Sequence, residues 1–201
     1  MDFPQTSAIV LAAGESRRMG QNKLLLPWRG RTVIESIAVT LHECQISEII
    51  IVLGHEADRI RAVLQDQSVR FALNEKFSDG MLSSVQCGAR AASASIDALL
   101  ICLGDQPALS THLIAPLLQA FAEDKGTIIV PSYRGARGHP LLVSSKYRDE
   151  ILKLDPSIGL RQLRQRHADE VFIIEIPDGA VLQDLDYPED YRRALENPHR
   201  S

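Results

Sequence analysis

The stretch Ala8-Ile-Val-Leu-Ala-Ala-Gly-Glu-Ser-Arg-Arg-Met-Gly-Gln-Asn-Lys23 decides the fold. Its apolar first half reads as a strand and its second half as a glycine-containing, cation-rich loop, which is how a chain holds a nucleoside triphosphate. Gly14 can adopt backbone angles closed to other residues and lets the main chain approach a ligand, while Arg17, Arg18 and Lys23 bring positive charge to where phosphates would lie. Two familiar phosphate loops are excluded. Gly14 and Gly20 are separated by five residues and Lys23 stands apart from both, unlike a Walker loop, and no G-x-G-x-x-G follows the strand. The plain alternative is a strand-to-helix turn with solvated basic residues.

Outward from this stretch, further apolar runs bounded by turn residues occur at 48–53, 69–73, 98–103, 127–131 and 171–176. They are rich in Val, Ile and Leu and mostly lack alternation, which suits strands covered on both faces. Between them, Val33, Ile34, Ile37, Ala38 and Leu41 mark one helical face, Ile60, Val63 and Leu64 a second, and Leu113, Leu117, Leu118 and Phe121 a third. Thr32-Val-Ile-Glu35 reads as a capping box for the first helix. Strands alternating with helices imply an α/β fold with a mainly parallel central sheet, whose ligands bind beyond the carboxyl ends of the strands. The loops after Ala12, Leu53, Leu73 and Leu103 are therefore expected to face one crevice. Beyond about residue 133 the pattern loosens into a turn at 134–138, helical stretches near 145–154 and 159–167, a strand, and a final helix from Pro188.

The chain has 201 residues, 45% of them hydrophobic, with no linker or low-complexity tract, so a single domain over 1–201 is expected. The part to about 132 is assigned to the nucleotide, and 133–201 to the second substrate and a closing strand and helix. A net charge of −4 argues against a general nucleic-acid partner. Cys44, Cys87 and Cys102 are odd in number and form no C-x-x-C pair, so neither a disulfide framework nor a zinc site is expected, which fits a reducing cytoplasm. Met1-Asp-Phe-Pro-Gln lacks the pattern of a signal peptide, and no apolar run approaches the ~20 residues that span a bilayer. A soluble, unprocessed protein is expected.

Leu103-Gly-Asp-Gln-Pro107 ends a strand, so Asp105 is expected at the crevice rim, where a carboxylate can serve as a metal ligand. Its candidate partner is Asp186, with Asp184 on the same side of an extended segment. Asn74, Gly80, Ser83 and Ser84 surround the start of a helix near Met81 and could read a base or ribose, although these are also ordinary turn and cap residues. His139, between Gly138 and Pro140, reads as a substrate contact. The histidines at 42, 55, 112, 167 and 199 read as surface or packing residues, with His55 alone near the crevice.

Taken in order, the segment 11–23, Asn74-x-x-Phe-x-x-Gly-Met-x-x-Ser84, Gly104-Asp-Gln-Pro107, Gly138-His-Pro140 and Asp184-Leu-Asp-Tyr-Pro-Glu-Asp190 resemble the motifs of the molybdenum cofactor cytidylyltransferases, within the MobA-like nucleotidyltransferases. The resemblance implies a three-layer Rossmann-like nucleotidyltransferase fold. It implies Mg²⁺-dependent transfer of CMP from CTP to the terminal phosphate of molybdenum cofactor (molybdopterin), with pyrophosphate released, and a molybdenum hydroxylase client or its maturation chaperone as a partner.

Carried across, Asp105 and Asp186 resemble metal ligands, and Arg18, Lys23 and Asp105 the catalytic groups. Leu11, Ala12, Ala13, Gly14, Arg18, Lys23, Asn74, Gly80 and Ser84 resemble nucleotide contacts, and Gly138 and His139 acceptor contacts. Ala13 resembles the pyrimidine-using branch, since guanylyl-transferring relatives carry glycine there. Two segments depart from the pattern: Asp155-Pro-Ser-Ile-Gly159 lacks an expected Gly-Asp-x-Gly, and Tyr187 replaces a threonine. The alternatives are transfer from GTP or another triphosphate to a different phosphorylated acceptor such as a sugar phosphate, and a non-catalytic molybdenum cofactor carrier.

Overall fold

The computed structural model describes residues 4–196; the expectations for Met1–Phe3 and for His199 lie outside them. In chain order the strands and helices are β1 (Thr6–Ala12), a hairpin of β2 (Pro27–Trp28) and β3 (Arg31–Thr32), α1 (Val33–Glu43), β4 (Glu48–Leu53), α2 (Ala57–Val63), β5 (Arg70–Leu73), α3 (Met81–Ala91), β6 (Ala98–Leu103), α4 (Thr111–Ala122), β7 (Ile128–Tyr133), β8 (Ala136–Arg137), β9 (Leu141–Ser144), α5 (Arg148–Ile151), α6 (Arg161–Arg166), β10 (Val171–Glu175) and α7 (Pro188–Glu196).

The main sheet runs β10-β7-β9-β6-β1-β4-β5, with β8 on β7. β1 lies parallel between β4 and β6, β5 is parallel to β4, and β10 is parallel to β7. Only β9 runs against its neighbours β6 and β7 in the body of the sheet. Alternate residues of the central strands feed opposite faces: Ala8, Val10, Ile49, Ile51 and Leu53 pack with α1 and α4, while Ile9, Ile50 and Val52 pack with α3, α5 and α6. Burial on both faces explains why these strands read as unbroken apolar runs. Each fully buried Ile or Leu contributes about 1.5–3 kcal/mol. The result is the expected three-layer α/β arrangement with a mainly parallel sheet.

The Thr32 capping box is present: Glu35 N–H donates to the Thr32 hydroxyl (3.3 Å) and Thr32 N–H to the Glu35 carboxylate (2.7 Å). Two features differ from the sequence reading. The β2–β3 hairpin turns through Arg29 and Gly30, both at positive φ, in strands of only two residues. The loosened region contains β9, which completes the sheet between β6 and β7, and its helices are shorter than expected, α5 having one turn and α6 six residues. Gly138 N–H donates to Pro131 and His139 N–H to Val181, which fixes the turn into β9. Only glycine fits at 138, because a Cβ there would lie 2.1 Å from the Val181 carbonyl oxygen. No helix among the described residues is long and apolar enough to cross a membrane.

Candidate active site

The loop after β1 is held by its own side chains. Ser16 (φ 52°) and Gly20 (φ 67°) take the left-handed turns. Ser16 Oγ accepts from Lys23 N–H (3.2 Å) and Asn22 Oδ1 from Leu24 N–H (3.1 Å), while Met19 and Leu24 are buried in the core beneath. Gly14 does not use the left-handed region expected to be its contribution; it faces open space, where a Cβ would meet nothing within 4 Å. Ala13 is pinned by His55 N–H, which donates to its carbonyl (3.2 Å). Arg17 and Arg18 are left exposed above.

Asp105 follows β6 and Asp186 precedes α7, and the chain gathers them by identifiable contacts. Leu185 N–H donates to the Asp105 carbonyl (3.1 Å), and the Leu185 side chain is buried in the core between the two outward aspartates. The buried Gln106 amide donates to the Asp184 carboxylate (2.7 Å) and to the Val181 carbonyl (3.4 Å). Lys23 Nζ forms an ion pair with Asp105 and lies 3.5 Å from Asp186 Oδ1, with the lysine side chain only 16% exposed. Arg18 completes the cluster from outside, 3.0 Å from Asp186 Oδ2, with its guanidinium 5.4 Å from the Tyr187 ring centre. The tyrosine that departs from the motif thus makes a cation–π contact with this arginine. Partial desolvation, then the Asp105 and Asp186 charges, raise the Asp184 carboxyl above its ordinary pKa.

These groups line a crevice of about 400 Å³ at the carboxyl ends of the strands. Of the expected nucleotide and metal residues, Leu11, Ala13, Gly14, Lys23, Gly80, Ser84, Asp105 and Asp186 border it. Ala12 is buried in the sheet, and Arg18 sits at the rim. Asn74 is 6% exposed and already engaged: its amide donates to Ser83 (2.9 Å) and Ser84 (3.0 Å), and its carbonyl oxygen accepts from Lys76 N–H (3.0 Å). It holds the loop that leads into α3, where Gly80 takes φ 98°. Gly138 and His139 border a neighbouring cavity instead. Sequence reasoning gave no site role to Ser16, Gln106, Phe77 or Met81, although Phe77, Met81 and Gln106 stand within the motifs quoted above.

Among the described residues, no three His, Cys, Asp or Glu side chains form a ready-made metal cage. Mg²⁺ needs none, being held by one or two carboxylates together with phosphates and water. Asp105 and Asp186 already share one cation, the Lys23 ammonium, so the donor set fits a divalent ion. The free Cys44 and Cys102 thiols are held in the protonated form: burial, first of all, pushes Cys44 up to about 11 and raises Cys102 as well.

Residues 8–171 match the model of the MobA-like NTP transferase domain. The chain is 31% identical to nicotine blue oxidoreductase of Paenarthrobacter nicotinovorans, over 96% of this chain and 98% of that one. It is 30% identical to molybdenum cofactor cytidylyltransferase of Escherichia coli K12, over 94% of each. Among solved structures it resembles Rv0371c of Mycobacterium tuberculosis H37Rv (TM-score 0.82, 28% identity, 98% of this chain and 100% of that one). The manganese complex of the same protein is also similar (TM-score 0.80, 26% identity, 96% and 98% covered). With a strand-borne cationic loop and paired aspartates at the ends of a parallel sheet, the chain belongs to the MobA-like NTP transferase family and is a nucleotidyltransferase.

Proposed function

We propose that the protein transfers CMP from CTP to the terminal phosphate of molybdenum cofactor, with Mg²⁺ as the working ion and pyrophosphate as the second product. The observation that carries this reading is Lys23 held between Asp105 and Asp186 at the crevice. An oxygen of the acceptor phosphate attacks the α-phosphorus in line; the new P–O bond forms as the bond to the β-phosphate oxygen breaks. The acceptor phosphate is already ionised, so no strong general base is required. Lys23 and Arg18 neutralise charge that builds on the triphosphate, and Asp105 and Asp186 would hold the metal. Bound Mg²⁺ would supply charge stabilisation on the phosphate oxygens. The segments before about residue 132 serve the nucleotide, and later ones, with His139 and Gly138, the acceptor.

Support for the acceptor comes from the cytidylyltransferase relative, and support for a divalent ion from the manganese-bound neighbour. Support for CTP is Ala13 itself, which borders the crevice and resembles the pyrimidine-using branch, with its methyl and carbonyl turned toward Gly54. A molybdenum hydroxylase or its maturation chaperone would receive the product. The test is Mg²⁺-dependent pyrophosphate release with CTP, GTP, UTP and ATP, each offered with reduced molybdenum cofactor and with sugar phosphates. Release with CTP and molybdenum cofactor above all other pairs is expected. Best turnover with another pair reassigns the substrates. Binding of the cofactor without turnover makes the protein a carrier, and reduction of an acceptor without pyrophosphate places it beside its oxidoreductase relative.

A further inference from the structure

Beside the crevice, with Met81 as a wall common to both, lies a second cavity of about 440 Å³. Arg137 enters it from β8, and Arg161 and Arg164 enter it from α6, where a spacing of three stacks them on one face. No carboxylate lines this cavity. Among the described residues none of these three arginines forms an ion pair, although Arg166 on the same helix pairs with Glu150 at 3.0 Å. The Arg164 Nε is buried with no hydrogen-bond partner.

Three guanidinium groups gathered without a counter-charge repel one another unless an anion completes the set, and their planar forks match phosphate-like and carboxylate groups. Burial, then the Arg137 and Arg161 charges, lower the Arg164 pKa, as expected for an uncompensated positive field. The rest of the wall is mainly apolar, with Leu82, Val85, Leu141 and Leu160 beside Met81 and with His139 and Gln165 as its other polar side chains, and the volume suits a small molecule. The β6–β9 pairing of Ile101 with Leu141 brings His139 to the same sheet edge as Asp105.

We infer that Arg137, Arg161 and Arg164 bind a second anionic group of the acceptor, remote from its attacking phosphate, so that the acceptor spans Met81 with charge at both ends. The inference rests on the crevice being the transfer site and adds the acceptor's class: a partly apolar body carrying two separated anions.

The experiment uses inorganic phosphate, titrated without nucleotide into the full chain and followed by NMR at the His139 ring, assigned with His139→Gln. A saturable response is expected in the unaltered protein. Arg161→Gln with Arg164→Gln should weaken it about tenfold or more, whereas Lys23→Ala should leave it within about twofold. Arg137→Gln, on a different element, serves if the double change disturbs α6. No saturable response in the unaltered protein overturns the inference, as does a response indifferent to the arginines or weakened equally by Lys23→Ala. Because nothing turns over in this titration, failure to release pyrophosphate would strike the transfer reading and leave the anion site standing.

Discussion

The two cavities that meet at Met81 carry opposite charge. The crevice has Asp105, Asp184 and Asp186 with Lys23 among them, whereas its neighbour has Arg137, Arg161 and Arg164 and no acid. The acidic side is the more fully built. Its charges are paired at Lys23–Asp105 and Arg18–Asp186, and the Gln106 and Leu185 contacts fix the aspartates in place. The basic side has charges without partners. A site in which catalytic groups wait on one another is organised before substrate arrives, while one of unpaired cations is completed by its ligand. On the proposed reading, the difference separates residues that act on the reacting phosphorus from residues that choose the acceptor, and the two sets can be changed separately.

The largest effect is expected from Asp105→Ala. An oriented charge contact worth ~3 kcal/mol at the transition state corresponds to roughly a hundredfold in rate. Turnover should fall at least that far, while the protein still folds cooperatively, because Lys23 keeps the Asp186 carboxylate, 3.5 Å away, as a partner. Steady-state pyrophosphate release and thermal unfolding on the same sample check it; a protein that melts early but keeps its turnover would make Asp105 structural.

Lys23→Ala should lower turnover by a similar factor and separate its two roles. Without nucleotide, the Lys23 ammonium occupies the place between Asp105 and Asp186 that a cation would take. Removing it should therefore raise the affinity for Mn²⁺, measured by electron paramagnetic resonance on the nucleotide-free protein, severalfold. Unchanged Mn²⁺ affinity would show that the two carboxylates do not jointly hold the ion.

The basic cavity should answer differently. Arg164→Gln is expected to raise the acceptor KM about tenfold, about 1.4 kcal/mol, with the CTP KM unchanged. Equal changes in both constants would erase the division between the cavities.

The acidic side was also the more legible in sequence. Its strands are continuous apolar runs ending in distinctive polar turns, so the β1 loop and Asp105 could be placed from local pattern, whereas Asp186, which follows no strand, was sought as the partner of Asp105. On the basic side only Gly138 and His139 were singled out, and none of its arginines. Its residues come from β8, of two residues, and α6, of six, both too short to impose a period, and β9 is only four residues long. Arginines on such elements look solvated until the turn at Gly138 folds β8 and β9 together. Gly138 itself was noticed, but its reason, the nearby Val181 carbonyl, is a tertiary contact. Asn74 was legible as polar and local, and its actual partners are Ser83, Ser84 and Lys76 within its own loop.

The smallest expected effect tests whether the basic field reaches His139. Burial, then the Arg164 charge, lower the His139 pKa below its ordinary 6.5, with Asp105 opposing weakly. The imidazole therefore stays neutral in the folded protein at pH values where the unfolded chain takes up a proton. The unfolded state then binds more protons, so His139 costs stability as pH falls below about 6.5, by up to about 1.4 kcal/mol per pH unit until the folded group also titrates. Denaturant unfolding at pH 7.5 and 5.5 should show the unaltered protein losing more stability than His139→Gln over that interval. Arg164→Gln should shrink the loss, because it removes the repulsion that disfavours the charged ring, while burial remains. A loss untouched by Arg164→Gln would mean that desolvation alone sets the histidine, and that the arginine field ends short of the turn joining the two cavities.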